Sequence, residues 1–204
     1  MAKSLKSEKT GNNYHHGELR ATLLKEATKM VKDLGIQSLS MRALGESIGV
    51  SRTALYHHFK NKNDLLSAIA ESGFTTWQDI VSSIISDDKA TQKQILHRYI
   101  KGYIEFSTDN AFIYELMFGS ALWKEQASSE SLKSTAYKSF QFHLSLIERW
   151  QKQGLLNSDV DTLRLAQVTW GTLHGICKLI IDGIYADNKN IDHLVDTIIA
   201  SQTH

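Results

Sequence analysis

Apolar residues recur every three or four positions along most of the chain, and no segment alternates with period two for more than a few residues. That spacing puts side chains on one face of a helix, so the pattern predicts an all-α protein. Leu19, Leu23, Ala27 and Val31 repeat at four, with Leu34 three further on, and Gly35 closes this first helix. Leu44 and Ile48 form a second short face after Ser40, and Leu55 and Phe59 form a third after Ser51. Beyond Asn61 or Asn63 as cap, Leu65, Leu66, Ile69, Ala70 and Phe74 open a longer helix that runs toward Ile85 and stops at Asp87-Asp88. The pattern restarts at Thr91 with Ile95, Tyr99, Ile100, Tyr103, Ile104 and Phe106, and Asn110 marks a break or cap. Phe112 through Trp123 is dense in large apolar groups.

Two long stripes follow. Leu132, Ala136, Phe140, His143, Ile147 and Trp150 end before Gly154. Leu163, Ala166, Trp170, Leu173, Cys177, Ile180 and Ile184 follow a cap at Asp159 or Asp161. Their mean spacing is near 3.5 residues, the period of bundle seams. Two such helices from each of two chains would make a four-helix interface, or both stripes would fill the core of one chain; spacing alone leaves both open. A last helix after Asn190 carries Ile191, Leu194, Val195, Ile198 and Ile199.

The segment from Ser40 to Lys62 holds the most chemistry. Ser40 and Ser51 are good N-caps, and Gly49 sits where a helix ends in a left-handed residue. With Leu55 and Phe59 turned inward, Arg52, Thr53 and Tyr56 project outward. A helix in that attitude fits a DNA major groove, its first turn nearest the base edges. Arg52 suits guanine, Thr53 a base or phosphate, and Tyr56, His57, Lys60 and Lys62 suit phosphate oxygens. The competing reading is a helical hairpin with a polar outside that touches no DNA. Charge bears on the choice. From Met1 to Leu65 eleven Lys/Arg oppose six Asp/Glu, net +5; the rest has twelve against sixteen, net −4. The near-neutral total therefore hides a basic end and an acidic end, and a polyanion partner is expected for the first only.

The residues Tyr14-His15-His16-Gly17-Glu18-Leu19-Arg20, Leu39-Ser40-Met41-Arg42, Ile48-Gly49-Val50-Ser51 and Leu55-Tyr56-His57-His58-Phe59-Lys60-Asn61-Lys62 together resemble the N-terminal domain of the tetracycline-repressor (TetR) family. Trp170-Gly171-Thr172-Leu173-His174-Gly175 is similar to a Trp…His-Gly signature of one branch of its C-terminal domains. The resemblance implies an all-helical homodimer: a three-helix helix-turn-helix head, then a larger helical domain for ligand binding and dimerisation. It implies a repressor that leaves a palindromic operator in double-stranded DNA when a small effector binds. By position it brings Arg42 and the helix opening at Ser51 to DNA, with Arg52 and Thr53 toward bases and Tyr56, His57 and Lys62 on phosphates. Effector residues do not transfer by position. The expected layout is a basic tail at 1–13, the DNA-binding head at 14–76 and the effector-binding and dimerisation body at 77–204.

An effector would have to come from the body's own residues. Trp77, Tyr103, Phe106, Tyr114, Met117 and Phe118 supply apolar walls, and Trp123, Phe140, His143, Trp170 and His174 add more aromatic surface with polar handles. The set suits a small apolar or aromatic ligand; ordinary core packing accounts for each residue singly. His174 is the preferred polar contact, although a buried histidine bonded to a backbone carbonyl would show the same sequence. Gly171 and Gly175 would allow a close helix approach.

Other chemistries find little support. The adjacent pairs His15-His16 and His57-His58 diverge on a helix and lack a cysteine partner, so no metal is expected. No Gly-rich phosphate loop, GxSxG elbow or HExxH is present, so no catalysis and no cofactor are expected. The lone Cys177 fits a reducing cytoplasm. No signal peptide and no membrane span are expected. The rival of another class is a helical small-molecule carrier or enzyme that does not bind DNA. A DNA binder of the nucleoid type, without an effector, is a third possibility.

Overall fold

A computed structural model describes residues 16–123, 127–184 and 190–203, and every regular element among them is a helix. The basic tail expected at 1–13 lies outside the described residues. The chain divides into two compact units, Met1–Lys62 and Asn63–His204.

The first unit contains α1 (His16–Leu34), α2 (Met41–Ile48) and α3 (Arg52–His58). Leu23, Ala27 and Val31 of α1 are buried with Leu39, Leu44, Leu55 and Phe59. This is the apolar stripe closing against the two short helices. Each of those begins on a serine: Ser40 Oγ accepts from Ala43 N–H at 3.1 Å and Ser51 Oγ from Ala54 N–H at 3.2 Å. Gly49 closes α2 at φ 68°, ψ 31°. Its N–H donates to Glu46 O, and Val50 N–H donates to Gly45 O. This paired closure needs a left-handed residue, which glycine adopts without a Cβ clash.

The second unit begins inside α4 (Lys62–Ile85), one uninterrupted helix that also contains residue 76. After it come α5 (Gln92–Asp109), α6 (Ala111–Phe118), α7 (Ser120–Trp123), α8 (Glu130–Lys152), α9 (Thr162–Ile181) and α10 (Ile191–Ala200). α9 packs on α5 and α8, and α10 packs on α5. The caps fall where polar residues interrupt the apolar pattern. Thr91 and Gln94 form a reciprocal capping box, and Ser129, Asp161 and Asn190 cap α8, α9 and α10. Trp77 of α4 stands against Tyr99, Tyr103 and Phe106 of α5, with ring centroids 5.1–5.7 Å apart. Gly73 lets α6 approach α4. A Cβ there would meet Ile113 Cγ2 and Met117 Sδ at 2.5 Å.

The structure departs from the spacing at three places. The dense run from Phe112 to Trp123 is two helices, broken at Gly119. A Cβ on Gly119 would collide with the backbone oxygen of Glu115. The α9 stripe is shifted: Leu165, Ala166, Thr169, Leu173 and Cys177 are buried, while Leu163 is 40% exposed. Ile184 lies past the helix end and is 66% exposed. A 3.6-residue helix drifts away from a strict 3.5 pattern over its length, so the ends of a long stripe leave the buried face. In α8 the stripe is buried from His143 to Trp150, but Ala136 and Phe140 are only half-buried. No helix among the described residues is long and apolar enough to cross a membrane.

Candidate nucleic-acid interface and aromatic core

The geometry of α3 follows from its two buried anchors. Leu55 and Phe59 have 0% and 1% exposure. Ser51, Arg52, Thr53, Tyr56 and His57 therefore lie on the exposed side, with Lys60 in the turn that follows. The Arg52 guanidinium stands over the Tyr56 ring, 5.4 Å from its centroid. This one-turn stacking holds the arginine along the outer face of the helix. Arg42 on α2 is also exposed, and its Nε donates to Glu46 Oε1 at 2.8 Å. That carboxylate raises the Arg42 pKa and occupies one edge of its guanidinium.

Lys62 is placed differently from the others. It is half-buried, and its ammonium donates to the Ile36 carbonyl in the α1–α2 loop at 2.8 Å. One of its three N–H groups is thereby committed to the fold. Spacing carried no signal for the Lys62 bond, which joins residues 26 apart, whereas the i,i+4 spacing of Arg42 and Glu46 could have found their pair. Arg20 covers the Phe59 ring at 5.0 Å.

The aromatic residues singled out in the body come together, but around two spaces. Tyr103, Phe106, Tyr114, Met117, Phe118, Phe140, His143 and Trp170 gather with Trp77 in the interior. The cavity at their centre has a free volume of about 10 Å³, roughly what one water needs. Trp123 and His174 instead line an open cleft of about 390 Å³, together with Glu115, Gly119, Ser120 and Lys178. Tyr114 and Phe118 border both spaces. Phe74 and Tyr99, read in the sequence only as helix-face positions, and Ser139 also line the inner cavity. Glu115 and Lys178, whose side chains meet at 2.9 Å, were not candidates either.

Two hydrogen-bond chains tie together the tyrosine and histidine side chains of the interior and the Trp170 indole. His143 Nε2 faces the Ala166 carbonyl at 3.0 Å, and its Nδ1 faces Tyr99 Oη at 2.7 Å. A carbonyl only accepts, so Nε2 carries the proton and Tyr99 donates to Nδ1. Burial holds the His143 pKa down to about 4, so the ring is neutral at pH 7. The histidine bonded to a backbone carbonyl is therefore His143, where the sequence raised that reading for His174. In the second chain the Trp170 indole N–H donates to Tyr103 Oη at 2.9 Å. Tyr103 Oη lies 3.1 Å from Tyr114 Oη, which lies 2.8 Å from His174 Nδ1. The indole can only donate, so Tyr103 Oη accepts from Trp170, and Tyr114 Oη links Tyr103 Oη to His174 Nδ1. Burial, and secondarily Lys178, lowers the His174 pKa. Cys177 is buried, and burial pushes its thiol up to about 11, which removes it as a nucleophile at neutral pH. Among the described residues no three His, Cys, Asp or Glu side chains gather as a metal site would require.

Residues 23–69 match the profile of "Bacterial regulatory proteins, tetR family", and residues 96–201 match "Tetracyclin repressor-like, C-terminal domain". The chain is 43% identical over 56 residues to the tetracycline repressor protein class C of Escherichia coli, covering 28% of this chain and 26% of that one. The match thus spans about a quarter of that relative. The nucleoid occlusion factor SlmA of Alteromonas mediterranea is 28% identical over 137 residues, 65% of this chain and 68% of that protein. A solved structure of a protein of unknown function from Rhodococcus sp. RHA1 superposes with a TM-score of 0.79 at 26% identity, covering 95% of this chain and 100% of the other.

Proposed function

Because the chain belongs to the tetR family of bacterial regulatory proteins, we propose that it is a sequence-specific DNA-binding regulator of transcription. In this reading it works in the cytoplasm as a homodimer, represses from a palindromic operator, and is released by a small apolar or aromatic effector. It performs no catalysis. The observation that carries the DNA role is the α3 face: two apolar anchors buried, with Arg52, Thr53, Tyr56 and His57 outward on a serine-capped helix. Arg52 and Thr53 read bases, while Arg42, Tyr56, His57, Lys60 and Lys62 hold phosphates. Ser51 sets the start of the reading helix.

The dimer reading is supported by apolar surface left uncovered on α8 and α9. Tyr137 is 65% exposed and Val168 is 60% exposed. Gly171 and Gly175 lie nearby on α9, and no described atom outside their own helix comes within 4 Å of where a Cβ would stand. Small residues facing open space beside exposed apolar groups suit a second copy of the same helices. Two heads about 34 Å apart would then read the halves of an inverted repeat. The effector role belongs to the aromatic core. α4 runs from the boundary of the two units to Phe74 and Trp77 in that core, so a ligand there would act on the head through α4. It can do so only to the extent that it binds the two forms differently.

Selection of bound sequences from random duplex DNA tests the function directly. An inverted repeat is the expected outcome. Failure to retain any duplex at low salt would instead favour a helical ligand-binding protein.

One observation favours a second reading. The inner cavity is nearly filled, and the similarity to SlmA runs over more of the chain than the similarity to the tetracycline repressors. A DNA binder without an effector would keep its core closed. Its affinity for the selected DNA would then be unchanged across a library of small aromatic compounds.

A further inference from the structure

The inner cavity and the outer cleft share two side chains, Tyr114 and Phe118. They are held very differently. Tyr114 is 1% exposed, and its hydroxyl is bonded to both Tyr103 and His174. Phe118 has ring contacts only, to Phe74, Tyr114, Trp170 and His174, at centroid distances of 4.8–5.7 Å. It is half-buried and is the last residue of α6, beside the extended Gly119. Moving Tyr114 would break two buried hydrogen bonds, whereas moving Phe118 breaks none. We propose that Phe118 is a plug between cleft and core, and that the site takes an uncharged aromatic compound with one hydrogen-bonding group. The ligand ring replaces the Phe118 ring, and its polar group stays at the cleft. This rests on the reading above that the aromatic core is an effector site.

The chemical class follows from the walls. No charged side chain lines the inner cavity, and the Tyr99, Tyr103 and Tyr114 hydroxyls, the Trp170 indole and both His143 ring nitrogens are already hydrogen-bonded. A buried charge would find no partner there. At the cleft, Lys178 is already held by Glu115 Oε2 at 2.9 Å and Asp182 Oδ1 at 3.1 Å. An anionic ligand would have to compete with two carboxylates for that cation. His174 holds Tyr114 Oη through Nδ1, so its Nε2 is the ring nitrogen that meets a ligand hydroxyl, which can donate to it or accept from it.

The test uses benzyl alcohol and benzoate, which share a phenyl ring and differ in charge, with the full-length protein and tryptophan fluorescence as readout. Benzyl alcohol is expected to bind at least ~10-fold more tightly than benzoate. Phe118→Ala is expected to speed its association roughly tenfold or more by removing the plug. Met117→Ala, which enlarges the core but leaves the plug in place, is expected to associate at the wild-type rate. Should Phe118→Ala fail to fold, Phe118→Leu keeps most of the packing and is expected to show a smaller acceleration. Equal or tighter binding of benzoate overturns the ligand class. Equal rates in the Phe118 and Met117 variants overturn the plug, as does absence of any alcohol binding to a folded Phe118 variant. DNA binding is measured separately. If the alcohol enters past Phe118 without altering DNA affinity, the plug stands and the effector-release reading falls.

Discussion

The head and the aromatic core of the body use polar side chains in opposite ways. On α3 the polar groups lie outward, and only Leu55 and Phe59 are committed to packing. In the body the polar groups of Tyr99, Tyr103, Tyr114, His143 and Trp170 are turned inward and hydrogen-bonded to one another, to His174 and to the Ala166 carbonyl. An exposed face can meet a ligand without rearrangement, because its donors are already in water. A nearly filled interior has no room for a ligand until a side chain moves. The exposed face could dock as it stands, whereas a ligand could enter the core only with a change of shape, which is the property a switch needs.

The sharpest way to break the contrast is to remove an anchor from the exposed face. Phe59→Ala is expected to lose about 3–5 kcal/mol of stability by leaving a cavity, and DNA binding should disappear with the folded head. Chemical denaturation followed by circular dichroism checks this. A loss below ~1 kcal/mol would mean that the anchors do not set the α3 face.

Next in size is the response of the interior to acid. His143 has a folded pKa of about 4 against an ordinary value of 6.5, so below 6.5 the unfolded chain binds the extra proton. Stability from this group is full above pH 6.5 and falls as pH drops toward 4. At pH 5 the loss is about 2 kcal/mol. Unfolding midpoints at pH 7 and pH 5 measure it, and His143→Gln should flatten the difference even though the variant is less stable at pH 7. The exposed head has no equivalent buried titrating group among its described residues.

The smallest effects separate residues within the head. Arg52→Ala is expected to cost about 1–3 kcal/mol of discrimination between operator and random duplex, with no change in melting temperature. Lys62→Ala should weaken binding to all duplexes alike, flatten the salt dependence, and lower stability by about 1 kcal/mol through loss of the Ile36 carbonyl bond. Equal losses on both DNAs for Arg52→Ala would remove its base-reading role.

Much of the helix order is legible in the sequence, and the reason is local. Ser40, Ser51, Thr91, Asp161 and Asn190 cap helices by bonding a backbone N–H three residues on. A side chain followed by its own helix carries that signal within one turn. Gly35, Gly49 and Gly154 close helices through positive φ, also a property of one residue. The exposed face of α3 was legible for the same reason, since two anchors four apart decide which way the intervening residues point. The need for glycine at position 119 was not legible, because only the folded chain shows that a Cβ there would meet Glu115.

What required tertiary structure was every relation between distant residues. The stripes on α8 and α9 announced two apolar helices, but only their packing decided that Leu165 and Thr169 are buried and Leu163 is exposed. Composition supplied the aromatic residues of the body. Their division into a closed core and an open cleft, and the hydrogen-bond chain that links Trp170 to His174, depend on contacts across 60 and more residues of chain. Hydrophobic spacing encodes which face turns inward. It does not encode which inward residues meet, because that is set by how whole helices fit against one another.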